Sequence, residues 1–291
     1  MVQRRPFQGN DAVGISRQPA HDTPMTIEAE IEAHIVAVEQ TYRDIVTGPT
    51  ARIEGGSRLW AQFQDAVAAW RAKPSPKRVL GIIERVNELV VAGILIKDSS
   101  IVKLEYEPRL VGSEGRIDFR LRLDVGQDGH AEVKTVQPQT DDSDENWEKY
   151  EERHERFTLG ANFIVQKEWM GAQLFGRSFS ARAAFMRYTL EFEEKLHAVQ
   201  ATSPGAGCLI FCGNGMDWHP SHLEDFADFY RTGKHRPDDS FGEMEAHHMR
   251  ENNITLRRNI HSFGCLIRGH SDIQSYRWIV PVQGPRFPWW P

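Results

Sequence analysis

Residues 115–137 read GRIDFRLRLDVGQDGHAEVKTVQ, and they decide the fold because they hold two alternating segments on either side of a turn. Every second residue of the first segment is apolar, which is the pattern of a half-buried β-strand, and these residues are Ile117, Phe119, Leu121 and Leu123. Turn chemistry follows at residues 126–129, where an Asp-Gly pair tolerates positive φ. Residues 131–135 alternate again, so the stretch predicts a β-hairpin.

The polar faces of this hairpin bring three residues onto neighbouring strands, namely Asp118, Glu132 and Lys134. A two-residue turn at 128–129 would pair Glu132 with Val125, too far from Asp118 to share a metal at about 3.4 Å per residue. A shared site therefore requires a turn centred near Val125, or a sharp bend in the first strand.

An aspartate and a glutamate beside a lysine suit the hydrolysis of a phosphodiester. Hard carboxylate oxygens hold Mg²⁺, which keeps open positions for a substrate phosphate and lowers the pKa of a bound water. A lysine two residues after a glutamate shares its strand face, where it can orient or deprotonate the attacking water and offset negative charge. The alternative for these residues is an exposed sheet face with weakly stabilising cross-strand ion pairs.

Asp118, thirteen intervening residues and then Glu132-Val133-Lys134 form a pattern that resembles the motif of the PD-(D/E)xK nuclease superfamily, with Ile117 where proline is common. The resemblance implies an α/β (α+β) protein with the restriction-endonuclease-like fold, a mixed central β-sheet flanked by helices. It implies a Mg²⁺-dependent nuclease in which Mn²⁺ can substitute. Asp118 and Glu132 would ligate the metal together with the Val133 carbonyl, and Lys134 would be the catalytic lysine.

Two further contributions to the expected site come from outside this motif. Gln137 lies just past the second strand and is expected to contact the substrate or water. In nucleases of this type a helix ahead of the first strand often contributes an acid to the metal site. The helix predicted at 79–95 carries Glu84 and Glu88, one turn apart, as the two candidates. The alternative for this pair is two solvent-facing glutamates.

The rest of the chain predicts elements in an order that is consistent with a mixed α/β sheet. Apolar periodicity predicts helices at 26–46, 59–71, 79–95, 146–157, 163–175, 180–200 and 222–230, and strands at 101–111, 205–213, 262–267 and 276–282. We expect a disordered leader at 1–24, a helical N-terminal region at 25–75 and a nuclease-like domain at 76–291.

Composition is that of an ordinary globular protein, with 40% hydrophobic and 26% charged residues and no apolar run long enough to span a membrane. The N-terminus lacks the apolar core of a secretory signal and the three cysteines suit a reducing compartment, so we expect a cytoplasmic location. A net charge of −6 does not indicate a nucleic-acid binder, but residues 250–291 carry six arginines against two acidic residues.

The expected partner is nucleic acid, and family precedent favours DNA over RNA. Cleavage of both strands of a duplex would need two centres, which makes a homodimer one expected arrangement. No P-loop or G-x-G-x-x-G motif is present to bind a nucleotide cofactor. A second tripeptide of the ExK form, Glu193-Glu194-Lys195, lies in a predicted helix without a hairpin partner.

Two other functions stay open. One is a catalytically inactive protein on the same scaffold that binds nucleic acid or protein, which the acidic net charge favours. The other is a metal-dependent hydrolase with zinc bound by the late histidines, although their spacing lacks the short pairs of a typical zinc site. These histidines are His219, His222, His235, His247 and His248.

Overall fold

The structure is a computed structural model that describes residues 26–108, 116–136, 181–213, 218, 220–234, 249–250, 253–268 and 275–281. These residues contain five helices and seven strands. The helices are α1 (Ile27–Thr47), α2 (Gly56–Ala72), α3 (Pro76–Lys97), α4 (Ala181–Gln200) and α5 (Pro220–Thr232). The strands are β1 (Ile53–Glu54), β2 (Ile101–Tyr106), β3 (Phe119–Leu123), β4 (Asp128–Thr135), β5 (Ala206–Gly213), β6 (Ile260–Arg268) and β7 (Ser275–Pro281).

All seven strands form one mixed sheet in which spatial order follows chain order, from β1 at one edge to β7 at the other. Strands β2, β3 and β4 form an antiparallel meander, and β6 and β7 are also antiparallel. Strand β5 runs parallel to both β4 and β6. Parallel neighbours require crossover connections, and α4 and α5 lie in the two crossovers on either side of β5.

Helices cover both faces of the sheet, and each face has its own hydrophobic core. Helices α1, α2 and α3 pack together against one face, where β5 contributes Ile210. Helices α4 and α5 pack against the other face, where β5 contributes its neighbours Leu209 and Phe211. Successive side chains of a strand point to opposite faces, so an uninterrupted apolar strand such as β5 is what a sheet covered on both sides requires.

Helix α3 is the element that joins the N-terminal layer to the sheet. Its residue Gly93 permits a close approach to α1, because a Cβ atom there would lie 2.8 Å from the Tyr42 ring. On its sheet-facing side, Asn87 Nδ2 donates to Thr135 Oγ1 at 2.8 Å, at the end of β4. The helix therefore brings its polar residues to the same end of β4 that carries the predicted motif.

The predicted mixed α/β sheet with a helical N-terminal portion is confirmed, as are the predicted helices and strands that fall within the described residues. The strand expected at 101–111 ends at Tyr106, and the short β1, which pairs in parallel with β2, was not predicted. The leader at 1–24 and the helices predicted at 146–157 and 163–175 lie outside the described residues. Within the part of the chain that the structure describes, no helix meets the length and hydropathy needed to cross a membrane.

Candidate functional site

The turn between β3 and β4 is centred on Val125. Leu123 N–H donates to the Gln127 carbonyl at 2.8 Å, and Gly126 N–H donates to the Leu123 carbonyl at 2.9 Å. Gly126 has φ 78°, a left-handed conformation that glycine adopts without strain. The last registered pair of the two strands is Phe119 with Ala131, so the next residues along each chain are Asp118 and Glu132. The register that a shared site requires is therefore present.

Asp118 and Glu132 contact one another's strands directly. The Asp118 N–H donates to Glu132 Oε2 at 3.3 Å, and the Val133 N–H donates to Asp118 Oδ2 at 2.7 Å. Strand β4 continues to Thr135, whereas its registered pairing with β3 ends at Phe119, and we call the end of β4 beyond this pair the notch. Both carboxylates lie at this notch.

Two lysines from different elements meet at the same oxygen of Glu132. Lys134 Nζ lies 3.0 Å from Glu132 Oε1, and Lys195 Nζ, from helix α4, lies 2.5 Å from the same atom. Lys195 also donates to the Arg116 carbonyl at 3.1 Å. Lys134 lies over the Tyr188 ring of α4, with 5.6 Å between Nζ and the ring centroid. Helix α4 therefore forms one wall of the site.

Helix α3 supplies a third carboxylate from the opposite side. Glu88 is buried and accepts hydrogen bonds from Tyr106 Oη at 2.7 Å and from Arg85, whose Nη1 lies 2.9 Å from both carboxylate oxygens. Gln62 Oε1, on α2, also lies 2.7 Å from Tyr106 Oη and can share its hydroxyl hydrogen with Glu88. These contacts hold Glu88 where its charge acts on Asp118.

The remaining predicted site residues occupy different environments. Glu84 is exposed on α3 and lies within electrostatic reach of Lys134. The Val133 N–H points toward Asp118, and because the N–H and C=O of a strand residue point to the same neighbour, its carbonyl faces the notch as well. Gln137 lies outside the described residues.

The surroundings of Asp118 disfavour its ionised form, which is unusual for an aspartate. Burial and the nearby carboxylates of Glu132 and Glu88 raise the pKa of Asp118 well above its ordinary value, against a weaker lowering by the Val133 N–H and the Lys134 ammonium. The negative charges of Glu132 and Glu88 thus oppose the ionisation of Asp118, and a cation bound beside Asp118 would relieve this repulsion.

The environment of Lys134 favours its protonated ammonium form. Burial disfavours the ammonium, but the neighbouring carboxylates, chiefly Glu132 and then Asp118, outweigh burial and raise the pKa of Lys134. Of the two roles that the sequence left open, a raised pKa favours the ammonium that orients water and offsets negative charge over the base that removes a proton.

Carboxylate oxygens are the donors that a hard divalent ion such as Mg²⁺ prefers, and Asp118 and Glu132 each offer them at the notch. Within the described residues, however, no three acidic, histidine or cysteine side chains are grouped closely enough to hold a metal. The acidic side chains of this region have other partners. Both lysines occupy Oε1 of Glu132, and Glu88 is engaged by Arg85 and Tyr106.

Lys195 is the site residue that sequence reasoning missed. It belongs to the second ExK tripeptide, which lies in α4 as predicted, and nothing in the periodicity of α4 indicates that its lysine reaches β4. The available signal was weak. A lysine that is half-buried among the apolar positions of an amphipathic helix needs an acidic partner, and the crossover between β4 and β5 places such a helix over β4.

The zinc alternative receives no support from the residues that are described. His222 lies on α5, and the other four late histidines are outside the described residues. Comparison of the chain with protein-family models, with curated proteins and with solved structures found no match. Function is therefore inferred from the geometry of the site.

Proposed function

We propose that the protein is a Mg²⁺-dependent nuclease of the PD-(D/E)xK type with the restriction-endonuclease-like fold, and that it hydrolyses phosphodiester bonds of nucleic acid. One observation carries the proposal. The Asp118 carboxylate accepts the Val133 N–H at 2.7 Å, the Glu132 carboxylate accepts the Asp118 N–H at 3.3 Å, and the Lys134 ammonium lies 3.0 Å from Glu132, so the three groups share one end of β4. Asp118, Glu132 and Lys134 were selected from the sequence pattern. Their neighbouring positions suit the phosphodiester hydrolysis that this pattern suggests.

The chain's own residues would divide the work in a specific way. Asp118 and Glu132 would hold Mg²⁺ or Mn²⁺ together with the Val133 carbonyl, and Glu88 would add negative potential from α3. When bound, the ion supplies Lewis acidity toward the phosphate and lowers the pKa of a water. The Lys134 ammonium orients the attacking water and offsets the negative charge that develops on the phosphoryl oxygens. Arg85 and Tyr106 keep the Glu88 carboxylate in place.

Basic side chains at the rim support a polyanionic substrate. Arg58 and Arg116 both pair with one oxygen of Glu107, at 3.2 and 2.9 Å, and both remain substantially exposed. The Glu107 N–H donates to the Asp118 carbonyl at 2.8 Å, so this pair of arginines adjoins the notch. Two guanidinium groups that share one carboxylate leave a positive charge available to a phosphate. DNA remains the preferred substrate class on family precedent, ahead of RNA.

The test is a cleavage assay with the full chain on plasmid DNA, single-stranded DNA and RNA, in the presence of Mg²⁺, Mn²⁺ or a chelator. We expect metal-dependent cleavage that falls by about 10³-fold or more in Asp118→Asn and Glu132→Gln, because each change removes a charged ligand. Glu194→Gln, an exposed residue on α4, serves as the matched control and is expected to cleave normally. Full metal-dependent cleavage in either site variant would contradict the assignment.

The second candidate is a non-catalytic binding module on the same scaffold. One observation favours it, since the two lysines already neutralise Glu132 without a metal. Titration with Mn²⁺ separates the two functions. The nuclease requires binding that Asp118→Asn abolishes, whereas the binding module predicts no Mn²⁺ binding and retention of nucleic acid in the presence of a chelator.

A further inference from the structure

A cavity of about 470 Å³ lies at the opposite end of β4 from the notch, between the β3–β4 turn and the loop that joins α4 to β5. Among the described residues, its charged lining consists of Arg120 and Arg122 from β3 and Asp128 from β4. The loop contributes residues 202–206 to the opposite wall. None of these residues belongs to the candidate site described above.

The register of the hairpin puts the two arginines on the same sheet face as the notch. Arg120 pairs with His130 and Arg122 pairs with Asp128, and paired residues of an antiparallel ladder lie on one face. Arg120 and Arg122 follow Asp118 by two and four residues, so they lie about 7 and 14 Å from it along β3. A strand of nucleic acid that passes the notch can therefore reach the cavity along one continuous face.

Helix α4 and the loop after it border this face from the notch to the cavity. At the notch, Lys195 of α4 contacts Glu132 at 2.5 Å. Beyond the end of the helix, Ser203 Oγ lies 3.4 Å from Asp128 Oδ2. The buried His130 fixes this second point, because its Nε2 donates to the Ser203 carbonyl at 2.9 Å. The wall of the cavity is therefore held in place by contacts within the protein.

Positive charge exceeds negative charge in the described lining of the cavity. Arg120 Nη2 lies 2.6 Å from Asp128 Oδ2 and Arg122 Nε lies 3.1 Å from Oδ1, so two guanidinium groups share one carboxylate. Glu105 lies farther from Arg120, at 3.8 Å, and is itself contacted by Lys103 at 2.5 Å. The Arg122 side chain is 54% exposed, so its guanidinium can turn toward a ligand. Such an arrangement suits a phosphate group.

We propose that this cavity binds a backbone phosphate of DNA through Arg120 and Arg122, at a distance from the notch. The inference rests on the proposed function, which names DNA as the substrate, and it adds a second contact with the same molecule. Asp128 orients the two guanidinium groups and offsets part of their charge. Loss of an arginine and loss of the Asp128 charge should therefore change DNA binding in opposite directions, whereas a purely structural role would weaken binding in both variants.

The test measures binding of fluorescein-labelled DNA by fluorescence anisotropy in chelator, over a range of salt concentrations. For Arg122→Gln we expect the dissociation constant to rise by about tenfold and the slope of its logarithm against log salt to fall by about one, as for loss of one phosphate contact. For Asp128→Asn, which keeps the shape of the side chain, we expect the dissociation constant to fall by about threefold or more. Arg43→Gln, on the exposed side of α1, is the matched control and should change neither quantity.

Thermal melting shows whether each variant is folded, and Arg122→Met replaces Arg122→Gln if the latter is not. Unchanged DNA binding in the folded arginine variant would overturn the proposal, and so would weaker or unchanged binding in Asp128→Asn. Wild-type protein that binds no DNA would refute the DNA substrate of the proposed function, and the phosphate site with it. Wild-type protein that binds DNA without cleaving it would refute the nuclease function alone, and the Arg122 variant would still decide the phosphate site.

Discussion

Two tripeptides of the ExK form occur in this chain, and the fold uses them in different ways. In β4, Glu132 and Lys134 are two residues apart on a strand, so they share one face and lie 3.0 Å from each other. In α4, Glu193 and Lys195 are also two residues apart, but about 200° of helical rotation separates them. The helical pair points to opposite sides of α4 and makes no common site.

The first and last residues of the helical tripeptide, Glu193 and Lys195, have separate roles. Glu193 is buried and accepts three hydrogen bonds, from Tyr230 Oη at 2.5 Å, from the Arg257 N–H at 2.9 Å and from the Arg258 N–H at 2.6 Å. It thereby ties α5 and the segment before β6 to α4. Lys195 points the other way and reaches Glu132 of the strand tripeptide. The comparison shows that spacing acquires chemical meaning only through the periodicity of the element that carries it.

The largest effect is expected from the strand tripeptide. Lys134→Met should lower the cleavage rate by about 10²–10³-fold, because it removes the positive group that orients water and offsets charge, and it should leave Mn²⁺ binding intact or tighter. The measurement is single-turnover cleavage at saturating Mn²⁺ alongside a Mn²⁺ titration. Glu194→Gln, the middle residue of the helical tripeptide, should behave as wild type. A Lys134→Met variant with wild-type cleavage would remove the distinction between the two tripeptides.

The helical tripeptide should matter for stability instead. Glu193→Ala leaves one hydroxyl and two backbone N–H groups without their acceptor, so we expect the free energy of unfolding to fall by about 3 kcal/mol. Urea or thermal denaturation measures this loss, and Glu194→Ala is the exposed control on the same helix. Cleavage per folded molecule should remain near wild type. A loss of cleavage without a loss of stability would place Glu193 in the reaction and contradict the comparison.

The smallest expected effect is on the stability of the folded protein, and it arises because the Asp118 carboxyl is held close to the carboxylates of Glu132 and Glu88. The pKa of Asp118 is raised by burial and by Glu132 and Glu88, so the folded protein holds this proton at pH values where the unfolded chain has lost it. Stability of the metal-free protein should therefore decline as pH rises from the ordinary pKa of aspartate through the raised value.

Asp118→Asn lacks this titration, so its melting temperature should exceed that of wild type by about 2–4 °C near neutral pH, and the difference should shrink on acidification. The readout is thermal melting in chelator across that pH range. Asp124→Asn, an exposed residue at the turn of the same hairpin, is the control. A difference that grows on acidification would contradict the raised pKa.

Much of this arrangement follows from residues that are near one another in the chain. The alternation in 115–137 predicted the hairpin, but the turn predicted at 126–129 was placed too late, since Asp128 and Gly129 already belong to β4 and the turn is centred on Val125, as a shared site requires. Apolar periodicity predicted the described helices, including α3 with Glu84 and Glu88. It could not tell that Glu88 is buried while Glu84 is exposed, because burial of Glu88 depends on its contacts with Tyr106 and Arg85.

The sequence by itself determined the hairpin, the alternating faces of its strands and the helical nature of α4, since each depends on contacts between close neighbours in the chain. Only the tertiary structure decided that Lys195 meets Glu132, a contact between residues 63 positions apart. Only it decided that Glu193 is buried against Tyr230. Such contacts depend on where the crossover lays α4 across the sheet, and packing of the two cores sets that position, which local periodicity does not encode.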